Sequence, residues 1–393
     1  MIKRVSQRLS RLPGSATMGV SNRARELAAQ GREIISFGAG EPDFPTPEHI
    51  VAAAARAAHD PANHHYTSNA GLTPLREAVA DYTHSYSGAE AAPSQVLITN
   101  GAKQAIFQSF AALIDPGDEV LLPTPYWVTY PAGIELAGGV PIAVPTSLDT
   151  GFKVGVTDLE AARTPRTTVL VFVSPSNPTG AVYTPEEARA IGEWAAQHGI
   201  WVVADEIYQR LFYEAPVAPS IVGITPMLED WILVNGVAKS YAMTGWRVGW
   251  MVGPEDVVEA AARHQSHATS NVNNIAQQAA LAAMTGPQDT VEEMREAFDK
   301  RRRMMYEMLS EIAGIVTHEA KGAFYLFPDV TGVLGGRVPT SAALAEAILE
   351  DAGVALVPGE SFGVPGHLRL SYATSSAEVE QGMTRIAALI ESL

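Results

Sequence analysis

The chemistry this chain could perform centres on Lys239. The apolar run Trp231–Val234 ends at Asn235-Gly236, Lys239 follows within three residues, and Arg247 comes eight positions later. The chain has six lysines against 21 arginines, so a lysine beside a buried strand end is not its default cation. Arginine keeps its proton in a protein and cannot attack a carbonyl. A desolvated lysine can, forming a Schiff base with an aldehyde such as pyridoxal phosphate.

Other apolar runs end in polar residues of different kinds. Thr168–Val173 leads into Ser174-Pro-Ser-Asn177-Pro-Thr-Gly180, and Ile200–Ala204 ends at Asp205. Val96–Thr99 is followed by Asn100-Gly101-Ala102-Lys103. In open parallel sheets, ligands bind beyond the carboxyl ends of the strands. The turn at Gly101-Ala102 opens a helix, whose free N–H groups and dipole favour a phosphate. Asp205 would pair with a ring nitrogen and keep it protonated, and Arg247 would hold the phosphate as a fixed cation. A lone strand-end Asp or Asn is most often a helix cap or turn residue. Four such ends with a lysine and an arginine argue for a phosphorylated aldehyde cofactor.

The elements that must position these residues alternate. Apolar runs at 96–99, 118–123, 140–144, 168–173, 200–204 and 231–234 are separated by helical patterns such as Ala102–Ile114 and Pro185–His198. That predicts an α/β domain with a mostly parallel central sheet covered by helices. From Asp289 the texture changes. Val291–Ile312 reads as one long charged helix, followed by short strands and helices of a smaller α+β domain. The expected division is a large cofactor-binding domain over 46–288 and a small domain built from 1–45 and 289–393, the first segment carrying a helix at Asn22–Gln30. Arg301-Arg-Arg303 shares the long helix with Glu292, Glu293 and Glu296 and reads as a solvated face.

Composition narrows the function classes. A net charge of −16 repels phosphate backbones, so no nucleic-acid partner is expected. With no cysteine, there is no disulfide, thiolate metal site or cysteine nucleophile. The ten histidines show no metal spacing. No apolar run reaches spanning length and no signal peptide is evident, so the expectation is a cytoplasmic protein without a membrane partner.

Ser174-Pro-Ser-Asn177-Pro-Thr-Gly180, Asp205-Glu-Ile-Tyr208, Ala238-Lys239-Ser-Tyr-Ala-Met-Thr-Gly-Trp-Arg247-Val-Gly and Arg369-Leu-Ser-Tyr-Ala resemble the class I aminotransferases, pyridoxal-phosphate enzymes of fold type I. Ser36-Phe-Gly-Ala-Gly40-Glu-Pro-Asp-Phe and Pro125-Tyr-Trp127-Val-Thr-Tyr resemble the bacterial aspartate aminotransferase subgroup, some of which also use prephenate. The resemblance implies a catalytic set of Lys239 as Schiff-base lysine, Asp205 on the pyridine nitrogen and Tyr208 on the phenolic oxygen. Asn177 would lie beside Tyr208, Trp127 would stack on the ring, and Gly101, Ala102 and Arg247 would bind phosphate. Tyr66 would reach a neighbouring subunit's phosphate, which implies a homodimer. Arg369 would clamp the substrate α-carboxylate, and Gly40 would contact substrate through its backbone. Without their flanking motifs, Trp127 and Tyr208 read as core aromatics and Tyr66 as a surface residue.

For the second carboxylate of an aspartate donor, the resemblance points to Lys103, at the edge of the cofactor site, and to Ser15 and Thr17. The implied reaction moves the amino group of L-aspartate to 2-oxoglutarate. The other readings are a different donor or acceptor (prephenate, aromatic or alanine) and a lyase. Two departures stand out. Pro13 occupies a position where some prephenate users carry a cation, which argues against prephenate. Gly236 replaces a serine that many relatives place three residues before the lysine to bind phosphate.

Overall fold

The computed structural model describes residues 4–10, 12, 14 and 16–393. Among them, seven strands form one sheet in the spatial order Val96–Thr99, Gly249–Val252, Trp231–Gly236, Trp201–Asp205, Thr167–Val173, Glu119–Pro123, Val140–Val144. All pairings are parallel except the two made by Gly249–Val252, which runs against both neighbours. The inner strands carry apolar side chains on both faces because helices cover both. Ile98, Leu170, Val202 and Leu233 join the core on one side, Leu97, Val169, Val203 and Ile232 that on the other.

The helices start and stop where local chemistry dictates. Pro185–His198 opens with a capping box: Thr184 Oγ1 accepts from Glu187 N (3.2 Å), and Glu187 Oε2 accepts from Thr184 N (2.8 Å). It closes at Gly199, whose left-handed φ of 62° terminates the run. Ala102–Leu113 begins immediately after Gly101, at the carboxyl end of strand Val96–Thr99.

A second body of structure draws on both ends of the chain. Ile35–Ser36 pairs in parallel with Val354–Ala355, and Tyr325–Leu326, Leu368–Ser371 and Val357–Pro358 form a small antiparallel sheet. Helix Ser376–Glu391 packs on the long helix Asp289–Ser310. Among the described residues no helix is long and apolar enough to cross a membrane.

Three expectations are corrected. The first long helix runs Ala16–Ala29 rather than 22–30. Strand Gly249–Val252 was not anticipated; its Gly-Trp-Met-Val run is short and follows a left-handed residue, Arg247. Arg301 and Arg302 are buried and only Arg303 faces solvent. Arg301 Nη1 donates to Asp43 Oδ1 (2.7 Å) while its guanidinium lies over Phe44 and Phe298. Arg302 bonds Asp299, Glu319 and the Ala320 carbonyl. For Arg301 a partner far away in sequence replaces the acidic neighbours on the same helix, while Arg302 combines Asp299 of its own helix with Glu319 and Ala320 beyond it.

Candidate active site

A cavity of about 410 Å³ lies at the carboxyl ends of the parallel strands, where the small sheet meets the large one. Gly40, Ala102, Lys103, Trp127, Asn177, Asp205, Tyr208, Lys239, Arg247 and Arg369 all line it.

Gly101 and Arg247 make one end. Gly101 has φ +80°, and a Cβ there would stand 2.6 Å from Arg247 Nη2, so the arginine needs the glycine. Arg247, itself left-handed, donates from Nη1 to Thr244 O (3.0 Å) and from Nη2 to Asn100 O (3.3 Å). Its charge is thereby fixed beside the amino end of helix Ala102–Leu113, where an anion is favoured. Lys103 Nζ lies 4.9 Å from the Trp127 ring centroid. Burial, and then the Arg247 charge, hold its ammonium below the usual lysine range.

Asp205, 3% exposed, accepts from Tyr130 Oη at Oδ2 (2.8 Å) and from Ile207 N at Oδ1 (3.1 Å). Burial still pushes its carboxyl from 3.8 up to about 6, because these hydrogen bonds and the Lys239 charge offset only part of the desolvation. A protonated ring nitrogen would supply the missing opposite charge. Lys239 Nζ donates to the Gly40 carbonyl and lies near the rings of Tyr208 and Phe324. Burial lowers its ammonium from 10.5 to about 8, so a free amine is accessible near neutral pH.

Arg369 is 2% exposed and comes from strand Leu368–Ser371. Its Nη1 donates to Asn177 Oδ1 (3.0 Å) and Nη2 to Gly38 O (2.8 Å), while Nε has no partner among the described residues. The guanidinium sits 4.5 Å from the Tyr325 centroid and 5.1 Å from that of Phe362. A buried arginine with spare donors is a receptor for a planar carboxylate. Tyr208 Oη and Tyr325 Oη are 2.9 Å apart.

Tyr66 is 90% exposed and does not line this cavity. Ser15 and Pro13 lie outside the described residues, and Thr17 lies on helix Ala16–Ala29. A second cavity of about 570 Å³, lined by Thr46, Asn100, Trp246, Asn273 and Ile275 among others, shares Arg247 with the first. Sequence reading missed Tyr130 and Tyr325. Tyr130 stands three residues after Trp127, and that spacing was its available signal. Tyr325 was hidden in the apolar run Gly322–Phe327. The missing serine at 236 has a steric reason: a Cβ there would meet Gly249 Cα and Val248 O, each at 3.0 Å.

These residues fit pyridoxal phosphate. A phosphate would meet Gly101, Ala102 and Arg247, a pyridine nitrogen Asp205, and an aldehyde Lys239. A lysine of lowered basicity and a buried aspartate at the strand ends of an α/β fold define a Schiff-base enzyme. The chain belongs to the class I and II aminotransferases, whose family model matches residues 32–386. It is 55% identical to an aspartate aminotransferase of Streptomyces avermitilis, over 99% of this chain and 97% of the relative. It is 42% identical to an aspartate/prephenate aminotransferase of Cereibacter sphaeroides, over 99% of both. The fold matches an aspartate aminotransferase of Thermus thermophilus solved with maleate, with a TM-score of 0.94, 41% identity, and coverage of 99% of this chain and 100% of that one. The fold is thus type I of the pyridoxal-phosphate enzymes, and the chain is a pyridoxal-phosphate-dependent transaminase.

Proposed function

We propose that this protein transfers the amino group of L-aspartate to 2-oxoglutarate, giving oxaloacetate and L-glutamate in a ping-pong cycle. The carrying observation is the charge of the cavity. Its lining holds Arg369 and Lys103 in addition to Lys239 and Arg247, with Asp205 and Glu41 as its acids. After a phosphate engages Arg247, Arg369 and Lys103 remain for two substrate carboxylates. Maleate, bound in the Thermus relative, is itself a four-carbon dicarboxylate.

Bound pyridoxal phosphate supplies the aldehyde that takes up the amino group and the ring that delocalises the electron pair left at Cα. The chain's own residues do the rest. Lys239 holds the aldehyde at rest and, once displaced, moves a proton at substrate Cα; its lowered basicity suits both tasks. Asp205 offers the carboxylate that keeps the ring nitrogen protonated, and Tyr130 orients that carboxylate. Tyr208 donates toward the phenolic oxygen beside Asn177, and Trp127 covers the ring. Arg369 clamps the α-carboxylate, with Gly40 alongside. Lys103, with Ser15 and Thr17, receives the distal carboxylate.

The active unit is a homodimer with shared sites. Tyr66, though exposed, is held on an anchored loop: Asn274 Nδ2 donates to His65 O (2.8 Å), and Thr67 Oγ1 donates to Asn274 Oδ1 (2.7 Å). An aromatic presented so rigidly to solvent suits a partner's phosphate end. We assign the domains as 46–288 and, for the small one, 1–45 with 289–393, and the compartment as cytoplasmic. The Cereibacter relative keeps prephenate as a second acceptor; Pro13 disfavours it.

The test is a visible-absorbance titration of cofactor-loaded protein. L-Aspartate should bleach the band and 2-oxoglutarate should restore it. Bleaching by an aromatic or aliphatic amino acid but not by aspartate would leave a transaminase and overturn the dicarboxylate assignment.

A further inference from the structure

We infer that Tyr325 is a positioning residue that sets two ends of the site at once, its ring fixing Arg369 and its hydroxyl fixing Tyr208. The inference rests on the roles proposed above for those two residues.

Tyr325 is 1% exposed and sits on the short strand Tyr325–Leu326, opposite Ser371 in antiparallel register. That register brings the neighbouring strand's Arg369 against it. The Arg369 guanidinium lies 4.5 Å from the Tyr325 centroid and 5.1 Å from that of Phe362, so two aromatic rings hold one cation. Among the described residues only two of its five N–H donors have protein partners, Asn177 Oδ1 and Gly38 O. Ring contacts can fix the plane of the fork without consuming donors, which leaves the rest for a carboxylate.

The hydroxyl of the same side chain faces elsewhere. It lies 2.9 Å from Tyr208 Oη, and a Cβ on Gly40 would come within 3.0 Å of it. When Tyr325 donates, the Tyr208 proton is released for an acceptor in the cavity and is made a better donor by the chain of hydrogen bonds. A side chain on Gly40, whose carbonyl accepts from Lys239, would crowd this hydroxyl. One residue outside the recognised motifs therefore touches both the carboxylate clamp and the phenolic-oxygen donor.

Ring and hydroxyl can be separated experimentally, with Phe362 as control because it shares the Arg369 contact but has no hydroxyl. Two quantities are measured on cofactor-loaded protein: the dissociation constant for maleate, and the pH midpoint of the visible absorbance. Tyr325→Phe should leave maleate binding within about twofold and move the midpoint upward by roughly half a pH unit. Phe362→Leu should weaken maleate binding by about tenfold and leave the midpoint in place. Tyr325→Leu should do both. If Y325F leaves the midpoint unmoved, the hydroxyl role is wrong. If Y325L binds maleate like wild type, the ring role is wrong. Wild-type protein that answers neither aspartate nor maleate would instead overturn the proposed function, whatever the variants do.

Discussion

Lys239→Met should stabilise the cofactor-free protein at neutral pH while abolishing transamination. The reason is the cost of burying the ammonium. Its ionisation falls from 10.5 to about 8, chiefly through desolvation, and at ~1.36 kcal/mol per pH unit the charged form costs roughly 3 kcal/mol. Lys239 is only half-buried, so solvent screening reduces this to about 2 kcal/mol. Methionine fills similar apolar volume but strands the Gly40 carbonyl that Lys239 now satisfies, a loss of about 1 kcal/mol. The net expectation at pH 7 is a gain of about 1 kcal/mol. The sign reverses with pH. Between about 8 and 10.5 the unfolded chain carries the lysine proton and the native one does not, so wild-type stability rises with pH across that window. The variant has no such slope, and its advantage should vanish near pH 9. Urea denaturation of both proteins, freed of cofactor, at about pH 7 and about pH 9.5 reads this directly. A variant less stable at pH 7, or a stability gap that stays constant between the two, would refute the burial argument.

Tyr130→Phe removes the hydroxyl that donates to Asp205, pushing that carboxyl above about 6 and raising the cofactor dissociation constant roughly tenfold. Fluorescence titration with pyridoxal phosphate should show the loss growing as pH falls below neutral. Gly236→Ser should lower stability by about 1–3 kcal/mol rather than add a phosphate ligand, since the new Cβ meets Gly249 Cα and Val248 O; a thermal melt that does not fall contradicts this. Glu206 is buried and accepts from Ser87 Oγ (2.9 Å) and Ser220 Oγ (2.5 Å), yet burial raises its carboxyl from 4.5 to about 7. A raised carboxyl contributes stability at low pH that is lost as pH climbs through the folded value. Glu206→Gln should therefore gain on wild type between about pH 5 and pH 8 in denaturant midpoints; a gap that shrinks over that range would count against it.

The parts legible in the sequence are those where local pattern and site coincide. Asn177, Asp205 and Lys239 follow apolar runs, and those runs are strands of one sheet because a parallel strand must be apolar on both faces. Pro185–His198 was legible to the residue from apolar positions at helical spacing. What escaped depends on partners distant in sequence. Arg301 looked solvated among glutamates because nothing local reveals Asp43 and Phe44. Tyr325 looked like core because Tyr208 is 117 residues away. Antiparallel strand Gly249–Val252 was masked by the left-handed turn before it.

The spans that complete the site also fix when it can exist. Arg369 reaches back 331 residues to the Gly38 carbonyl, and Lys239 reaches back 199 to that of Gly40. Contacts of such separation form late, after loop closure across most of the chain. During synthesis, with the amino-terminal part emerging first, a chain that has passed Lys239 and the sheet still lacks the arginine, the Tyr325 ring and the strand Val354–Ala355 that anchors Ile35–Ser36. Such a chain can offer a cradle for an aldehyde but no receptor for an amino acid's carboxylate. Competence arrives only with strand Leu368–Ser371, so a working site reports a chain made and folded at least as far as Arg369.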